Sequence, residues 1–208
     1  QRDERVAELL AMVELPGSFS SRYPEELSGG QKQRVNLARA LGANPDIILA
    51  DEVTSALDTI VGAAVIELLK GLRERLGVSY LFISHDLSTV ASFADRIMVL
   101  YAGRVVEDGT TGNILGLPSH PYTQLLLSSV PELRQGWLED VTQTRAALAG
   151  IARQVELTDV GCPFYPRCPI AIEGVCDTTP APYREPVPGH RIACHREIAE
   201  LSELGRES

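Results

Sequence analysis

Ile47-Ile48-Leu49-Ala50-Asp51-Glu52 runs four apolar residues directly into two carboxylates. A short apolar run without polar alternation fits a strand buried on both faces, the pattern of a parallel sheet covered by helices. Its acidic end then lies at the C-terminal tip of the strand, where ligands gather in open α/β sheets. Val61 to Leu76 reads as a helix with Val65, Ile66, Leu68, Leu69 and Leu72 on its apolar side. Ser79 to Ser84 reads as a second buried strand that delivers His85 at its end, and Asp86 to Ala94 as another short helix. This alternation predicts an α/β fold class, a mainly parallel sheet with helices.

Upstream, Val6, Leu9, Leu10 and Val13 recur at helical spacing until Pro16-Gly17 stops the pattern. Leu27-Ser28-Gly29-Gly30-Gln31-Lys32-Gln33-Arg34 opens a second helix, continued by Val35, Leu37, Ala38 and Leu41 and ended by Gly42. Downstream, Ile97 to Tyr101 meets Ala102-Gly103 and returns as Arg104 to Glu107, a hairpin pattern. Beyond Gly109 come one apolar helix candidate, Tyr122 to Val130, and a less periodic helical stretch, Glu132 to Leu157.

The chain has 208 residues, 44% of them hydrophobic, with 19 Lys+Arg against 28 Asp+Glu and a net charge of −9. It is long enough for one ordinary globular core. No apolar run approaches the roughly 18 residues of a membrane-spanning helix. The acidic balance argues against non-specific nucleic-acid binding. The opening Gln-Arg-Asp-Glu-Arg has neither an initiator Met nor a secretory apolar stretch, which reads as a start within a longer protein. Composition shifts near residue 161: all four cysteines fall between Cys162 and Cys194, and seven of the thirteen prolines between Pro163 and Pro188. The expected organisation is an α/β part over 1–110, a helical connection over 111–160 and a small irregular Cys/Pro-rich extension over 161–208.

Three groups carry candidate chemistry. Two glycines at a helix start let backbone approach a ligand closely and aim free N–H groups at an anion; the plainer reading is a helix-entry turn capped by Ser28. Asp51 and Glu52 suit a metal–nucleotide site, one carboxylate holding Mg²⁺ and the other polarising a water; the plainer reading is a solvated acidic pair. The cysteines Cys162, Cys168, Cys176 and Cys194 follow C-x5-C-x7-C-x17-C, without the paired short spacings of a structural zinc site. An iron–sulfur cluster, zinc and free thiols all remain open on spacing alone.

Read together, LSGGQKQR at 27–34, IILADE at 47–52, TSALD at 54–58 and ISHD at 83–86 resemble the ATPase subunits of ABC (ATP-binding cassette) transporters, in that family's order of signature motif, Walker B strand, D-loop and switch-histidine loop. Tyr101 to Gly109 and His120-Pro121-Tyr122-Thr123 are similar to the dipeptide/oligopeptide importer branch. The resemblance implies a split site closed by a second ATPase subunit. Ser28, Gly29, Gly30 and Gln31 would contact the γ-phosphate of ATP held by the opposite subunit. Asp51 would serve Mg²⁺ and Glu52 the hydrolytic water, His85 would hold the γ-phosphate, and Asp58 would bridge the dimer. It further implies two membrane permeases and, indirectly, a substrate-binding protein as partners, with the subunit peripheral on the cytoplasmic face of a bacterial inner membrane. It favours a [4Fe–4S] cluster on the four cysteines, with zinc as the alternative and His190 and His195 as bystanders.

Two departures accompany the resemblance. Val53 stands where the family usually has Pro. No G-x-x-x-x-G-K-[ST] phosphate loop occurs in these 208 residues, so the chain looks like the C-terminal portion of a longer subunit and is expected not to hydrolyse ATP alone. The competing readings are a non-hydrolytic half that donates its signature motif to another ATPase, and an importer of a nickel chelate or glutathione. A chromosome-organising ATPase is disfavoured by the lack of heptads.

Overall fold

The computed structural model describes residues 1–116, 120–129 and 160–204. They divide into two compact units, Gln1–Phe93 and Ala94–Ser208. The helical stretch expected over Glu132–Leu157, and with it most of the connection over 111–160, lies outside the described residues. Among the described residues no helix is long and apolar enough to cross a membrane.

In the first unit, α1 (Arg2–Met12), α2 (Gly29–Leu41), α3 (Thr59–Leu76) and α4 (Leu87–Phe93) accompany two strands, β1 (Ile47–Asp51) and β2 (Ser79–Ile83). The strands pair in parallel, Ile47 opposite Ser79 and Asp51 opposite Ile83, with α3 as the crossover. Its apolar stripe explains α3: Val65, Ile66, Leu68, Leu69 and Leu72 are all buried. Each such side chain contributes about 2 kcal/mol on burial. Leu72 joins Leu10, Val13, Leu41, Ile48 and Val78 in one cluster, while Val65, Ile66 and Leu69 meet Phe93 in another. Arg34 fixes α2 to the end of α1, its Nη1 donating to the Val13 carbonyl at 3.1 Å and to Glu14 at 2.7 Å.

The strand expected to be buried on both faces is not. Along β1, Ile48 and Ala50 are buried while Ile47 and Leu49 are 67% and 61% exposed. Leu81 and Ile83 of β2 are exposed as well. The apolar run masks an alternation, because within this unit helices cover one face of a two-stranded sheet and nothing described covers the other.

The second unit is built on an antiparallel sheet in the order β3-β4-β6-β5: β3 (Arg96–Tyr101), β4 (Arg104–Thr110), β5 (Tyr183–Val187) and β6 (His190–Ala193). The expected hairpin is present. Ala102 and Gly103 at its tip both have positive φ, 47° and 76°, the geometry of a two-residue turn matched to strand twist. The segment read as irregular carries 3₁₀ and other turns around the cysteines, and also contributes β5 and β6. β6 pairs with β4 through Glu107↔Ile192 and Asp108↔Arg191, joining the hairpin and the cysteine segment in one sheet. Pro186 sits in β5, the edge strand, where its missing N–H is tolerated. Helices α5 (Thr111–Gly116), α6 (Pro121–Ser128) and α7 (Ile198–Leu204) complete the unit. Phe164 is buried among Tyr101, Tyr122 and His120, with ring centroids 5.2, 5.6 and 5.7 Å away.

Candidate functional site

Parallel register brings the acidic pair and the histidine together. Asp51 closes β1 opposite Ile83, and the Glu52 N–H donates to the Ile83 carbonyl at 2.9 Å. Glu52 adopts a left-handed backbone, φ 46°, a costly conformation for a non-glycine residue and one found disproportionately at functional sites. Its carbonyl accepts from the Ser55 N–H and hydroxyl, which holds the turn. His85 Nδ1 lies 3.3 Å from Glu52 Oε1, with both side chains more than half exposed. Asp51 is exposed and makes no ion pair among the described residues. Next to His85, Asp86 caps the start of α4. Burial raises its carboxyl, but the hydrogen bonds from Thr89 and Ser88 outweigh that and hold it below the usual range.

The glycine turn opens α2. Ser28 Oγ accepts from the Gln31 N–H at 3.4 Å, and Gln31 Oε1 accepts from the Ser28 N–H at 3.0 Å, a reciprocal cap. Two of the four residues read as phosphate contacts thus hold each other. The Gly29 and Gly30 N–H groups, in the first turn, have no carbonyl four residues back within the helix and stand at its positive end. Asp58 caps α3, its Oδ1 accepting from the Ile60 and Val61 N–H groups at 3.1 and 2.9 Å. The sequence reading of Asp58 as a bridge did not anticipate this local duty.

In the second unit all four cysteines are reduced; Cys168, Cys176 and Cys194 are buried and Cys162 is half-buried. Burial is the main cause that raises the thiols of Cys162, Cys168 and Cys194, pushing Cys168 up to about 12 and Cys194 to about 11. Repulsion adds to this: Cys176 raises Cys162, the other three cysteines raise Cys168, and Cys162 and Cys176 raise Cys194, so the four share one neighbourhood. Cys176 Sγ accepts from the Ile172 N–H at 3.3 Å, and the Cys162 N–H donates to the Cys176 carbonyl at 2.7 Å. A Cβ on Gly161 would stand 2.5 Å from that same carbonyl, so the close approach requires glycine. Among the described residues no three Cys, His, Asp or Glu side chains are already drawn together as a metal site.

A buried polar group in this unit escaped the sequence reading. Glu107 and His190 are fully buried and meet at 2.7 Å, Oε1 to Nε2, while Glu107 Oε2 accepts from the His120 N–H at 2.9 Å. Burial raises the Glu107 carboxyl; hydrogen bonds, including those from His190 and the His120 amide, pull the other way. Burial pushes His120 down to about 4, and its neutral Nδ1 accepts from the Tyr122 N–H at 3.1 Å as the cap of α6. A glutamate inside the apolar run of β4 was the available signal. His190, read as a bystander to the cysteines, belongs to this group instead.

Comparison with known proteins agrees with both units. Residues 1–55 match the family model "ABC transporter", and residues 106–176 match "Oligopeptide/dipeptide transporter, C-terminal region". The oligopeptide transport ATP-binding protein AppF of Bacillus subtilis (strain 168) is 45% identical over 195 residues, 94% of this chain and 58% of AppF. A protein of Brucella abortus (strain 2308) named for peptide import ATP binding is 44% identical over 196 residues, 94% of this chain and 56% of that protein. The chain therefore spans less than two thirds of either relative. Among solved structures, an ABC transporter in an inward-facing conformation is similar with a TM-score of 0.53 and 29% identity, over 62% of this chain and 49% of that one. The ATP-binding cassette MJ1267 in its ADP conformation gives 0.51 and 27%, over 57% and 48%.

Proposed function

Because the chain belongs to the ABC transporter ATP-binding family and carries the C-terminal region of its oligopeptide/dipeptide branch, we propose that it is part of an ATP-hydrolysing subunit that energises peptide import through a bacterial inner membrane. The observation that carries this reading is the meeting of Asp51, Glu52 and His85 at one end of β1 and β2, with His85 Nδ1 3.3 Å from Glu52 Oε1. Exposed carboxylates at strand ends, Asp51 without an ion pair among the described residues and Glu52 facing only His85, suit a nucleotide and its cation.

Each residue then has a physical task. Glu52 takes the proton of the attacking water, and His85 orients Glu52 and reaches the γ-phosphate. Asp51 is the carboxylate that would hold Mg²⁺, an ion that neutralises charge on phosphate oxygens when bound. Ser28 and Gln31 shape the α2 start so that the Gly29 and Gly30 N–H groups face the ATP of a second ATPase subunit. The Asp58 oxygen not engaged in capping is the one left to bridge toward that subunit. Two permeases would couple the closed pair to transport, with a substrate-binding protein delivering the peptide from outside.

The cysteines form the second part of the proposal. Four thiols in one buried neighbourhood, one of them already accepting a backbone N–H, fit thiolate ligation in their donor chemistry. Cys162, Cys168, Cys176 and Cys194 would hold a [4Fe–4S] cluster, with zinc as the alternative. Such a group supplies cross-links among turns with little regular structure.

The test of import is peptide accumulation by proteoliposomes carrying the full-length subunit, its partner ATPase and the permease pair. ATP-dependent accumulation of peptide is expected; hydrolysis that moves no peptide overturns the peptide assignment. Anaerobic purification with iron and zinc analysis tests the cysteines. A brown, iron-bearing protein supports the cluster, and a colourless protein with stoichiometric zinc reverses the order.

A further inference from the structure

The signature turn and the D-loop meet at one residue. A Cβ built on Gly30 would stand 2.5 Å from Val61 Cγ1, closer than real side-chain carbons approach. One built on Gly29 would stand 3.2 Å from Leu57 Cδ2. Gly30 itself is buried. Both glycines are thus pressed against the segment that begins α3. That direction is set by the helix, and it assigns the missing Cβ of Gly30 a neighbour within its own subunit. The backbone of Val61 serves a second contact, its N–H donating to Asp58 Oδ1 at 2.9 Å. The side chain of one residue supports the signature turn while its amide holds the D-loop carboxylate.

We propose that Val61 is a positioning residue that gauges the distance between the Gly29–Gly30 turn and Asp58, so that displacement of either is passed to the other. This rests on reading the turn as a donor to ATP phosphate. The physical reason is packing. Val61 is β-branched and sits in the first turn of α3, where its χ1 has little freedom, so its methyl group acts as a fixed stop rather than a soft cushion. The stop sets how far the α2 terminus can sink toward α3, and a close-packed contact of this kind transmits a shift instead of absorbing it. The same stop explains why position 30 admits glycine alone, independently of any need for a phosphate to come close.

A size-exchange cycle in the full-length subunit, assembled with its partner ATPase and permeases, tests this. Gly30→Ala adds a methyl group against Val61, Val61→Ala removes the stop, and the double variant restores the space; Val61→Thr keeps shape and amide. ATP turnover is measured well below the melting temperature of every variant, with thermal melting recorded for the same set. Gly30→Ala should lower kcat by about tenfold with a smaller change in KM for ATP, and Val61→Ala by about threefold. The double variant should return to within about threefold of Val61→Ala, and Val61→Thr should stay near wild type. If Gly30→Ala stays equally impaired beside Val61→Ala, phosphate approach alone demands the glycine and the proposal is overturned. Coupling seen in melting but absent from kcat also overturns it, leaving a mere packing contact. A wild-type complex that turns over no ATP removes the functional reading, and the positioning role with it.

Discussion

The two units spend their polar residues in opposite ways. In the first, the residues with chemistry stand in the open: Glu52 and His85 are more than half exposed, Asp51 is exposed, and even the outer apolar face of β1 and β2 is bare. In the second, Glu107, His120 and His190 are buried and hydrogen-bonded to one another or to the backbone, and three of four cysteines are buried. Exposed polar groups cost little stability and remain available to a ligand or another subunit. Buried ones cost several kcal/mol if left unpaired, and within the unit Glu107 and His190 Nε2 satisfy each other while His190 Nδ1 has no partner among the described residues. The first unit therefore looks outward for completion, while the second closes on itself.

The contrast is broken most directly at Glu52. Glu52→Gln in the full-length subunit should lower ATP turnover by about 10²- to 10⁴-fold, the usual worth of a general base. Its melting temperature should hardly move, because an exposed side chain with one 3.3 Å neighbour carries little stability. Phosphate release and a thermal melt decide it; undiminished hydrolysis would put the base elsewhere. The opposite profile is expected at Glu107. Glu107→Ala strands the His190 imidazole and the His120 amide in a buried site and should cost about 3 kcal/mol in chemical denaturation. Glu107→Gln keeps the shape and one acceptor and should cost less. Equal costs for the two variants would mean that packing, not pairing, holds β4, β6 and α6 together.

How far the sequence carried differs between the units for the same reason. Around Ile47–Glu52 and Ser79–His85 the decisive signals are local, so strand ends, the α2 start and the hairpin were legible from periodicity and turn residues. Strand burial was not, since four consecutive apolar residues look alike whether one or both faces are covered. The sheet β3-β4-β6-β5 was illegible because Glu107 meets Ile192 across a long stretch of chain, and no local pattern encodes that register. β5 was hidden further by Pro186, tolerated only because it lies at an edge. Glu107 and His190 were legible as residues but not as a pair.

The second unit's self-sufficiency also has a pH signature. Burial holds His120 at about 4, below its ordinary 6.5, so the folded state resists a proton that the unfolded chain accepts. The stability associated with the neutral ring is present above pH 6.5 and is lost as pH falls toward 4. Between pH 7 and 4.5 this should amount to about 2 kcal/mol in unfolding free energy. His120→Asn keeps an acceptor for the Tyr122 N–H and removes the titration, so the difference between the two proteins isolates the ring from carboxylates that titrate over the same range. Glu107, raised by burial, works with the opposite sign and loses its contribution as pH rises. Identical pH profiles for the two proteins would show that His120 is not the residue that senses acid.

The smallest effect is expected where the first unit is most open. Leu81 is 59% exposed, on the same bare face as Ile47, Leu49 and Ile83. Leu81→Lys in the 208-residue chain should change unfolding free energy by no more than about 0.5 kcal/mol, the range for surface positions. An apolar sheet face of this kind, flanked by strand edges that are unpaired among the described residues, favours association between chains, and an added charge opposes it. Sedimentation across a concentration series should therefore show self-association of the unsubstituted chain that Leu81→Lys weakens. A stability cost above about 2 kcal/mol, the scale of core burial, would mean that the face is covered within one chain after all. The outward-looking character of the first unit would then rest on Asp51, Glu52 and His85 alone, and the contrast with the second unit would narrow to its chemistry.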